Sequence, residues 1–367
     1  MKKVLYIGWI GYKNLGDDLM FDLFKQNLIS MGENYKLDVV NNEKIYLEKY
    51  PLDPYDLIVL GGGSILSGPG HIVNPVIINT LYKAISLNKK VMIWGSGIDW
   101  VPKEFIESLK NNKELNLMVA ENVKNKVKDV FEKSAWAGVR GPLTLDLLKS
   151  IGINMNKIHV SGDPGFLLRK NISKINTINQ NSVGNKEEKI IGVNWGTTYN
   201  IIYGKDEIKV EDQLVSALQA LIQKGYKIYL FIVWGMDLEA TERLYNKINN
   251  EENVILDINL HHQDELISII ENFSFTINFK LHSNYISLAA HVPFVALGYR
   301  FKVFDFVKSS GLDEFIISTD SNTIVEQIIN LESIIAKNRS SIINTMKIQQ
   351  NLYSQRIRVP FENNLYI

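Results

Sequence analysis

Short apolar runs alternate with amphipathic, helix-like segments along nearly the whole chain, and this alternation limits the fold more than any other feature. It predicts parallel strands in α/β sheets that are covered by helices on both faces. The first group of predicted strands is VLYIGW (4–9), LIVLGGG (57–63), VMIWGSG (91–97) and KIHVSGD (157–163). The second group is IIGVNWG (190–196), KIYLFIVWG (227–235), NVILDI (253–258), FTINF (275–279) and PFVALGY (293–299).

A polar, Asn-rich segment at 171–189 interrupts the alternation and is the best candidate for a linker. The sequence therefore predicts two doubly wound, Rossmann-like domains at 1–170 and 190–320, which 367 residues can accommodate. Residues 321–367 are predicted to form a final helix and tail, long enough to cross back to the first domain. Since ligands bind at the carboxyl ends of parallel strands, we expect the two domains to face each other across a cleft.

Composition excludes several classes of protein. Basic and acidic residues are equal in number, 40 of each, so a nucleic-acid partner is disfavoured. The chain has no cysteine, and no spacing of His, Asp and Glu predicts a metal site. No stretch is apolar for long enough to span a bilayer, and the first apolar run reads as a buried strand rather than a signal peptide. We expect a cytoplasmic protein, and contact with a membrane surface stays open.

Glycines follow two predicted strands of the first domain. Gly62, Gly63 and Ser64 follow LIVL, while Gly95 and Ser96 follow VMIW. Glycine at such positions lets a ligand or another backbone approach closely, although neither stretch matches a nucleotide-binding fingerprint. A tight turn is the alternative at each position, but the two together favour a glycine-lined floor for substrate.

The stretch GYKNLGDD lies between the first strand and the first helix. Carboxylates at a helix start cap free N–H groups, and capping accounts for one of Asp17 and Asp18. The other is a candidate general base for a substrate hydroxyl. Asn14 in the same loop is a candidate substrate ligand.

Arg140 lies between small, turn-forming residues in GVRGP. We expect it at a loop apex with its fork free, which suits bidentate capture of a carboxylate or phosphate. A surface salt bridge is the alternative. Asp163, at the end of KIHVSGD, is expected to have a structural role, orienting Arg140 or a backbone loop.

Two helix starts in the second predicted domain carry clustered cations. Lys280, His282 and Ser283 lie at one of them, and Arg300 and Lys302 lie at the next. Helix N-termini bind anions, so this pattern indicates a site for a small anion. His282 is a candidate proton donor that becomes active once the anion is bound. A capping or core histidine is the alternative.

Taken together, these stretches resemble the polysaccharide pyruvyl transferase family. The matching pieces, in the family's order, are GYKNLGDD, LGGGSIL, GSGI, GVRGPLT, GDPGFLL and KLHSNYISLAAHVPFVALGYRFKV. There is one departure, since the family usually has arginine where this chain has Lys280. The charge is kept there and the bidentate fork is lost.

The resemblance implies a two-domain fold of the GT-B type, with the acceptor on the first domain and the donor on the second. It implies transfer of the enolpyruvyl group of phosphoenolpyruvate, a substrate rather than a cofactor, onto two hydroxyls of one sugar. The product would be a cyclic ketal in a cell-surface polysaccharide or its precursor, free or lipid-linked, with release of phosphate. His282 would be the acid, Arg140 would hold the donor, and Asp17 or Asp18 would be the base. The implied substrate-binding residues are Asn14, Gly62, Gly63, Ser64, Gly95, Ser96, Lys280, Ser283, Arg300 and Lys302.

Two other functions stay open. A glycosyltransferase that uses a nucleotide sugar would suit the same fold, with Asp305 or Asp313 as its ribose-binding carboxylate. The other is a non-catalytic role in polysaccharide assembly. The presence of both Arg140 and His282 argues against it. The lysine-rich stretch 122–133 favours a solvated helix face over contact with anionic lipid at the inner membrane surface, and the sequence leaves the oligomeric state open.

Overall fold

The computed structural model describes residues 1–11, 15–32, 34–111, 115, 119–170 and 188–367, without the side chains of Leu15 and Asp17. Its contacts divide the chain into two compact units. Unit 1 comprises Met1–Leu167, Arg300–Ser309 and Asn351–Ile367, and unit 2 comprises Leu168–Tyr299 and Ser310–Gln350. Most of the predicted linker, residues 171–187, lies outside the described residues.

Each unit is built on a six-stranded sheet in which every pair of neighbouring strands is parallel. The strands of unit 1 are β1 (Lys2–Gly8), β2 (Tyr35–Asn41), β3 (Leu57–Leu60), β4 (Lys90–Ser96), β5 (Trp136–Val139) and β6 (Ile158–Val160). Their order in the sheet is β2-β1-β3-β4-β5-β6. The strands of unit 2 are β7 (Lys189–Asn194), β8 (Tyr226–Phe231), β9 (Val254–Asp257), β10 (Phe275–Asn278), β11 (Phe294–Gly298) and β12 (Ile316–Ser318). Their order is β12-β11-β10-β7-β8-β9.

Helices connect the strands, as the alternation predicts. They are α1 (Leu15–Ile29), α2 (Lys44–Leu47), α3 (Pro75–Ser86), α4 (Lys103–Lys110), α5 (Glu121–Lys133), α6 (Pro142–Ser150), α7 (Glu207–Gln223), α8 (Leu238–Ile248), α9 (Gln263–Ile270), α10 (Leu281–Ala289), α11 (Phe301–Ser309) and α12 (Ile324–Glu362). Local sequence explains several of their ends. The Asn74 side chain, for example, accepts from the Val76 amide at 3.0 Å while Pro75 occupies the first position of α3.

The prediction of an α/β fold with two doubly wound sheets is confirmed. Each predicted apolar run contains a strand, but β2, β5 and β12 were not predicted. β2 is an edge strand with Lys36 and Asp38 in its sequence, so it lacks a continuous apolar run. β5 and β12 are short, with 4 and 3 residues.

One segment lies in a different unit from the one that the sequence predicted. Residues Arg300–Ser309 belong to unit 1 instead of a second domain at 190–320. Asp305 shows the reason, because its carboxylate accepts hydrogen bonds at the start of α6, from the Leu143 amide at 2.8 Å and the Thr144 hydroxyl at 2.6 Å. Asp305 is fully buried there, so it cannot be the exposed ribose ligand of the nucleotide-sugar hypothesis.

The last residues of the chain also belong to unit 1. The Trp94 indole donates to the Ile357 carbonyl at 2.9 Å, and the Phe361 ring lies 5.7 Å from that of Trp94. Among the described residues, no helix combines the length and the apolar character needed to cross a membrane. In α5, Val127 and Phe131 are buried, as expected for a helix with one solvated face.

Candidate active site

Several of the predicted site residues lie at the carboxyl ends of strands that border the point where a sheet reverses its strand order. The reversal lies between β1 and β3 in unit 1 and between β7 and β10 in unit 2. Open α/β sheets bind ligands at such points. Gly62 and Gly63 follow β3, and Lys280 and His282 follow β10, so each unit places predicted residues where its topology favours a ligand.

Lys280 joins two loops of unit 2 to the start of α10. Its side chain is 8% exposed, and its Nζ lies 3.0 Å from Oδ1 of Asp237 and donates to the Thr197 carbonyl. The same ammonium lies 5.0 Å from the centre of the Trp234 ring. Burial raises the pKa of Asp237 to about 6, although the Lys280 charge acts in the opposite direction. The positive charge of Lys280 is therefore shared with a buried carboxylate and not wholly available to an anion.

Asn194 and Ser283 hold the beginning of α10 in place. Oδ1 of Asn194, the last residue of β7, accepts from the Lys280 amide at 2.9 Å and lies 3.0 Å from the Ser283 hydroxyl. Ser283 is fully buried, and its hydroxyl also contacts the Lys280 carbonyl. Its hydroxyl therefore serves the local fold, and its role as a substrate ligand stays a prediction.

His282 differs from its neighbours at this helix start because it is partly exposed. Its ring lies 5.9 Å from that of Tyr285, one turn further along α10, at an angle of 53°. The first amides of a nine-residue helix point toward the same end. The imidazole can therefore reach a solvent-borne ligand at a place where the helix favours an anion.

Arg140 follows β5 in unit 1 and is only 1% exposed. Its Nε donates to Oδ2 of Asp163 at 2.7 Å, and its Nη1 donates to the Ser64 hydroxyl at 3.1 Å. Asp163 also accepts from the Gly165 amide at 2.9 Å. The expected pairing with Asp163 is confirmed, whereas the expectation of an exposed loop apex with a free fork is wrong. A buried guanidinium is stable only beside a carboxylate that compensates its charge. This requirement explains why Arg140 lies beside Asp163.

Close backbone packing accounts for the glycine turns beside Arg140. A Cβ atom on Gly62 would lie 2.4 Å from Cγ of Pro164, and one on Gly95 would lie 2.7 Å from Cδ of the same proline. Gly63 and Gly95 have φ angles of +99° and +68°, in the region that favours glycine. Ser96 is fully buried and donates to a backbone carbonyl. These contacts explain the glycines without a ligand, so substrate binding by them stays a prediction.

Arg300 and Lys302 converge on Asp99. Nη2 of Arg300 lies 3.1 Å and Nζ of Lys302 lies 3.6 Å from the same carboxylate oxygen, on a side chain that is 2% exposed. The Arg300 guanidinium also lies 4.7 Å from the centre of the Trp100 ring. The predicted grouping of these cations with Lys280 in one domain is thus corrected, because their carboxylate partner belongs to unit 1. Both cations are therefore paired with a buried carboxylate of unit 1.

The candidate bases lie at the start of α1. Asn14 and the side chain of Asp17 are outside the described part of the chain. Asp18 is partly exposed, and burial raises its pKa, with a smaller opposing effect from a hydrogen bond to the Gly11 backbone. The negative charge of Asp22 also raises it. The raised pKa of this carboxyl group is closer to the pKa that a general base needs to be effective at neutral pH.

Sequence analysis missed three residues that organise these clusters, namely Asn194, Asp99 and Asp237. Each is a polar residue at or shortly after the carboxyl end of a buried strand, in GVN, GSGID and WGMD. That position is the signal that would have identified them, because polar side chains there face the ligand-binding edge of a sheet. Within the ranges that the structure describes, no group of His, Asp and Glu side chains could hold a metal ion.

Comparisons with known proteins agree with this architecture. A family model described as polysaccharide pyruvyl transferase matches residues 14–300. The amylovoran biosynthesis protein AmsJ of Erwinia amylovora is 23% identical over 322 residues, which cover 84% of this chain and 71% of that protein.

The whole chain also resembles several solved structures. The MnaA protein of S. aureus, solved with UDP, has a TM-score of 0.59 at 13% identity, over 100% of this chain and 98% of that one. The UDP-GlcNAc 2-epimerase of Neisseria meningitidis, solved with UDP-GlcNAc, has a TM-score of 0.59 at 12% identity, over 100% of both chains. At such identities the likeness shows the fold alone, which is the α/β fold of the GT-B class.

Proposed function

This chain belongs to the polysaccharide pyruvyl transferase family, and we propose that it transfers the enolpyruvyl group of phosphoenolpyruvate to two hydroxyls of one sugar. The product would be a cyclic pyruvate ketal on a polysaccharide or its precursor, and phosphate would be released. The observation that carries the proposal is the partly exposed His282 beside Lys280 at the start of α10. It lies where the strand order of unit 2 reverses.

The donor carries a carboxylate and a phosphate, and each unit, taken by itself, has groups that suit an anion. In unit 2, the amides at the start of α10 favour negative charge, and Lys280 adds a partly compensated cation. In unit 1, Arg300 and Lys302 place two cations at the start of α11, beside Asp99. Arg140 is already oriented by Asp163 and Ser64, so little reorganisation is needed for it to act on charge at the donor.

The chemistry begins at the methylene carbon of the donor. His282 gives a proton to that carbon, and the adjacent carbon takes on oxocarbenium character. A sugar hydroxyl attacks that carbon and passes its proton to a base, for which Asp18 is the candidate with described geometry. The bond to the phosphate oxygen then breaks, and the second hydroxyl closes the ketal. The proton of the first hydroxyl balances the proton that His282 gave, and the proton of the second hydroxyl leaves with the phosphate.

The direct test is an incubation of the purified protein with phosphoenolpyruvate and a panel of mannose, galactose, glucose and N-acetylglucosamine derivatives. Phosphate release that requires a saccharide, together with a saccharide product whose mass has increased by one pyruvate ketal, is the expected result. Phosphate release that is the same with and without saccharide would contradict transfer, as would a saccharide of unchanged mass.

The nucleotide-sugar alternative has its own test. Phosphoenolpyruvate at a hundred times its Kd should stabilise the protein by about 2.7 kcal/mol, while UDP-GlcNAc should leave the thermal midpoint unchanged. The reverse pattern would favour a glycosyltransferase or epimerase, the class of the solved structures that share the fold. The burial of Asp305 already removes one ribose ligand that this alternative would need.

A further inference from the structure

The loop after β7 presents an exposed aromatic side chain on an uncommon backbone. Tyr199 is 62% exposed, and its φ angle is +56°, followed by +59° at Asn200. Asparagine tolerates this left-handed region, but a bulky residue such as tyrosine rarely adopts it, and the conformation costs free energy. Such outliers persist where the surrounding structure imposes them, and they concentrate at ligand sites.

Glu207, the first residue of α7, imposes this conformation. It is 5% exposed, and one carboxylate oxygen accepts from the Thr198 amide at 2.6 Å and from the Asn200 amide at 3.2 Å. The other oxygen accepts from the Thr197 hydroxyl at 2.7 Å, and the Asn200 side chain accepts from the Glu207 amide at 2.9 Å. A buried carboxylate therefore holds the loop from several sides, and the exposure of Tyr199 belongs to an ordered loop.

The same loop contacts the residues around His282. The Thr197 carbonyl accepts from Lys280, and the Thr197 amide lies 3.2 Å from Oδ1 of Asp237. The Tyr199 amide in turn donates to the Thr197 hydroxyl at 2.9 Å. One hydrogen bond thus separates the backbone of Tyr199 from the residue that contacts Lys280, so the loop that carries Tyr199 lies at the same end of the sheet as the candidate acid.

A second loop beside it is also apolar on its surface. The loop after β8 carries the partly exposed Trp234 and Met236, which is 51% exposed, and it ends at Asp237, which ties it to the loop of Tyr199. Ile201, two residues beyond Tyr199, is 46% exposed. Several apolar side chains together at a ligand-binding edge suit a ligand with an apolar face better than a charged one.

We propose that the ring of Tyr199 is a stacking surface for a sugar ring of the saccharide acceptor, flanked by the apolar side chains of these two loops. The C–H groups of a pyranose form an apolar face that packs on an aromatic ring, and the phenol hydroxyl adds a polar contact at the rim. The donor carries two anionic groups and gains nothing from an apolar ring, so the saccharide is the substrate that fits. The inference rests on the proposed function. It adds a contact with the acceptor in unit 2, whereas the family resemblance implies that the acceptor binds to the first domain.

The test compares variants of the full chain. Tyr199→Ala removes the ring, Tyr199→Phe keeps it, and Tyr199→Asn suits the left-handed backbone, so a folded variant without the ring is available. Tyr46→Ala is the matched control, because Tyr46 is 52% exposed on α2 of unit 1. Saturation-transfer NMR in the presence of phosphoenolpyruvate would use the methyl glycosides of mannose, galactose, glucose and N-acetylglucosamine, which carry no aromatic group of their own.

In the NMR experiment, we expect binding of at least one glycoside by the wild type, Tyr199→Phe and Tyr46→Ala. We expect Tyr199→Ala and Tyr199→Asn to bind that glycoside about tenfold more weakly. Unchanged binding by the last two variants would overturn the proposal, and so would a wild type that binds none of the four sugars. Phosphate release is measured separately. If sugar binding depends on Tyr199 but the wild type transfers no pyruvyl group, the result would contradict the proposed function alone. Pyruvyl transfer with an unchanged acceptor KM in Tyr199→Ala would contradict the stacking surface alone.

Discussion

Nε of Arg140 lies 2.7 Å from Oδ2 of Asp163, and both side chains are almost completely buried. A second contact, from Nη1 of Arg140 to the Ser64 hydroxyl at 3.1 Å, fixes the plane of the guanidinium. The arginine is thus oriented by the protein itself before any ligand arrives, which is the condition under which a cation is most effective on a charged substrate.

The first prediction concerns the stability of this buried pair. Asp163→Asn should lower the free energy of unfolding by roughly 3 to 5 kcal/mol, because it leaves the Arg140 charge buried without a carboxylate. Urea denaturation of the full chain measures the change. The control is Asp129→Asn, whose partner Lys133 lies 3.1 Å away in a solvent-accessible pair, and it should cost less than about 1 kcal/mol. Equal losses in the two variants would contradict the importance of burial.

The second prediction concerns the acid. His282→Ala should reduce kcat for saccharide-dependent phosphate release by about a hundredfold to ten-thousandfold, which is the range for a positioned general acid. The control is His291→Asn, since His291 lies beyond the other end of α10 with a φ angle of +53° that asparagine tolerates. Turnover close to that of the wild type at saturating donor would remove His282 from this role.

The third prediction concerns donor binding in unit 1. Lys302→Ala should raise the KM for phosphoenolpyruvate and leave kcat almost unchanged, because it removes charge that acts equally on the ground state and the transition state. Lys308→Ala, an exposed lysine near the other end of α11, is the control and should change neither constant. Initial rates across a range of donor concentrations distinguish the two variants, and an unchanged KM in Lys302→Ala would exclude it from the donor site.

The fourth prediction is a dependence of stability on pH. Burial raises the pKa of Asp305 from 3.8 to about 6, with opposing effects from its bonds to Thr144 and from the Arg140 charge. The native state therefore binds this proton at a higher pH than the unfolded state. The free energy of unfolding should rise as the pH falls through about 6, and the gain of about 3 kcal/mol is complete only below the unfolded pKa of 3.8.

Asp305→Asn removes this group, so the stability of the wild type relative to the variant should increase as the pH is lowered from about 7.5 to about 4. The difference in the free energy of unfolding between wild type and variant excludes the contributions of other groups that behave in the same way. Asp237 is such a group, because its pKa is also raised to about 6. Asp313→Asn, at an exposed carboxylate, is the control and should show no such trend. A difference between wild type and Asp305→Asn that does not vary with pH would show that folding does not raise the pKa of Asp305.

Much of the candidate site could be predicted because it follows local rules. The small, turn-forming residues around Arg140 and the cations at a helix start around Lys280 and His282 are such local signals, and they identified these three residues. Asp163 was expected to orient Arg140 or a backbone loop, and it contacts Arg140 because β5 and β6 are neighbours in the sheet. Local signals gave no information on exposure, so Arg140 was expected at the surface and lies buried.

The amino-acid sequence by itself determined the parallel α/β architecture, the places where strands end and helices begin, and the kind of side chain at each of those ends. These properties depend on periodicity and on turn residues over short stretches. Only the tertiary structure decided the partners, such as Asp99 for Arg300 and Lys302, Asp237 for Lys280, and Asp305 for the start of α6. These partners are far apart in the chain, and strand order and helix packing bring them together. A buried charge is stable only beside its compensating group, and the identity of that group cannot be read from a local pattern.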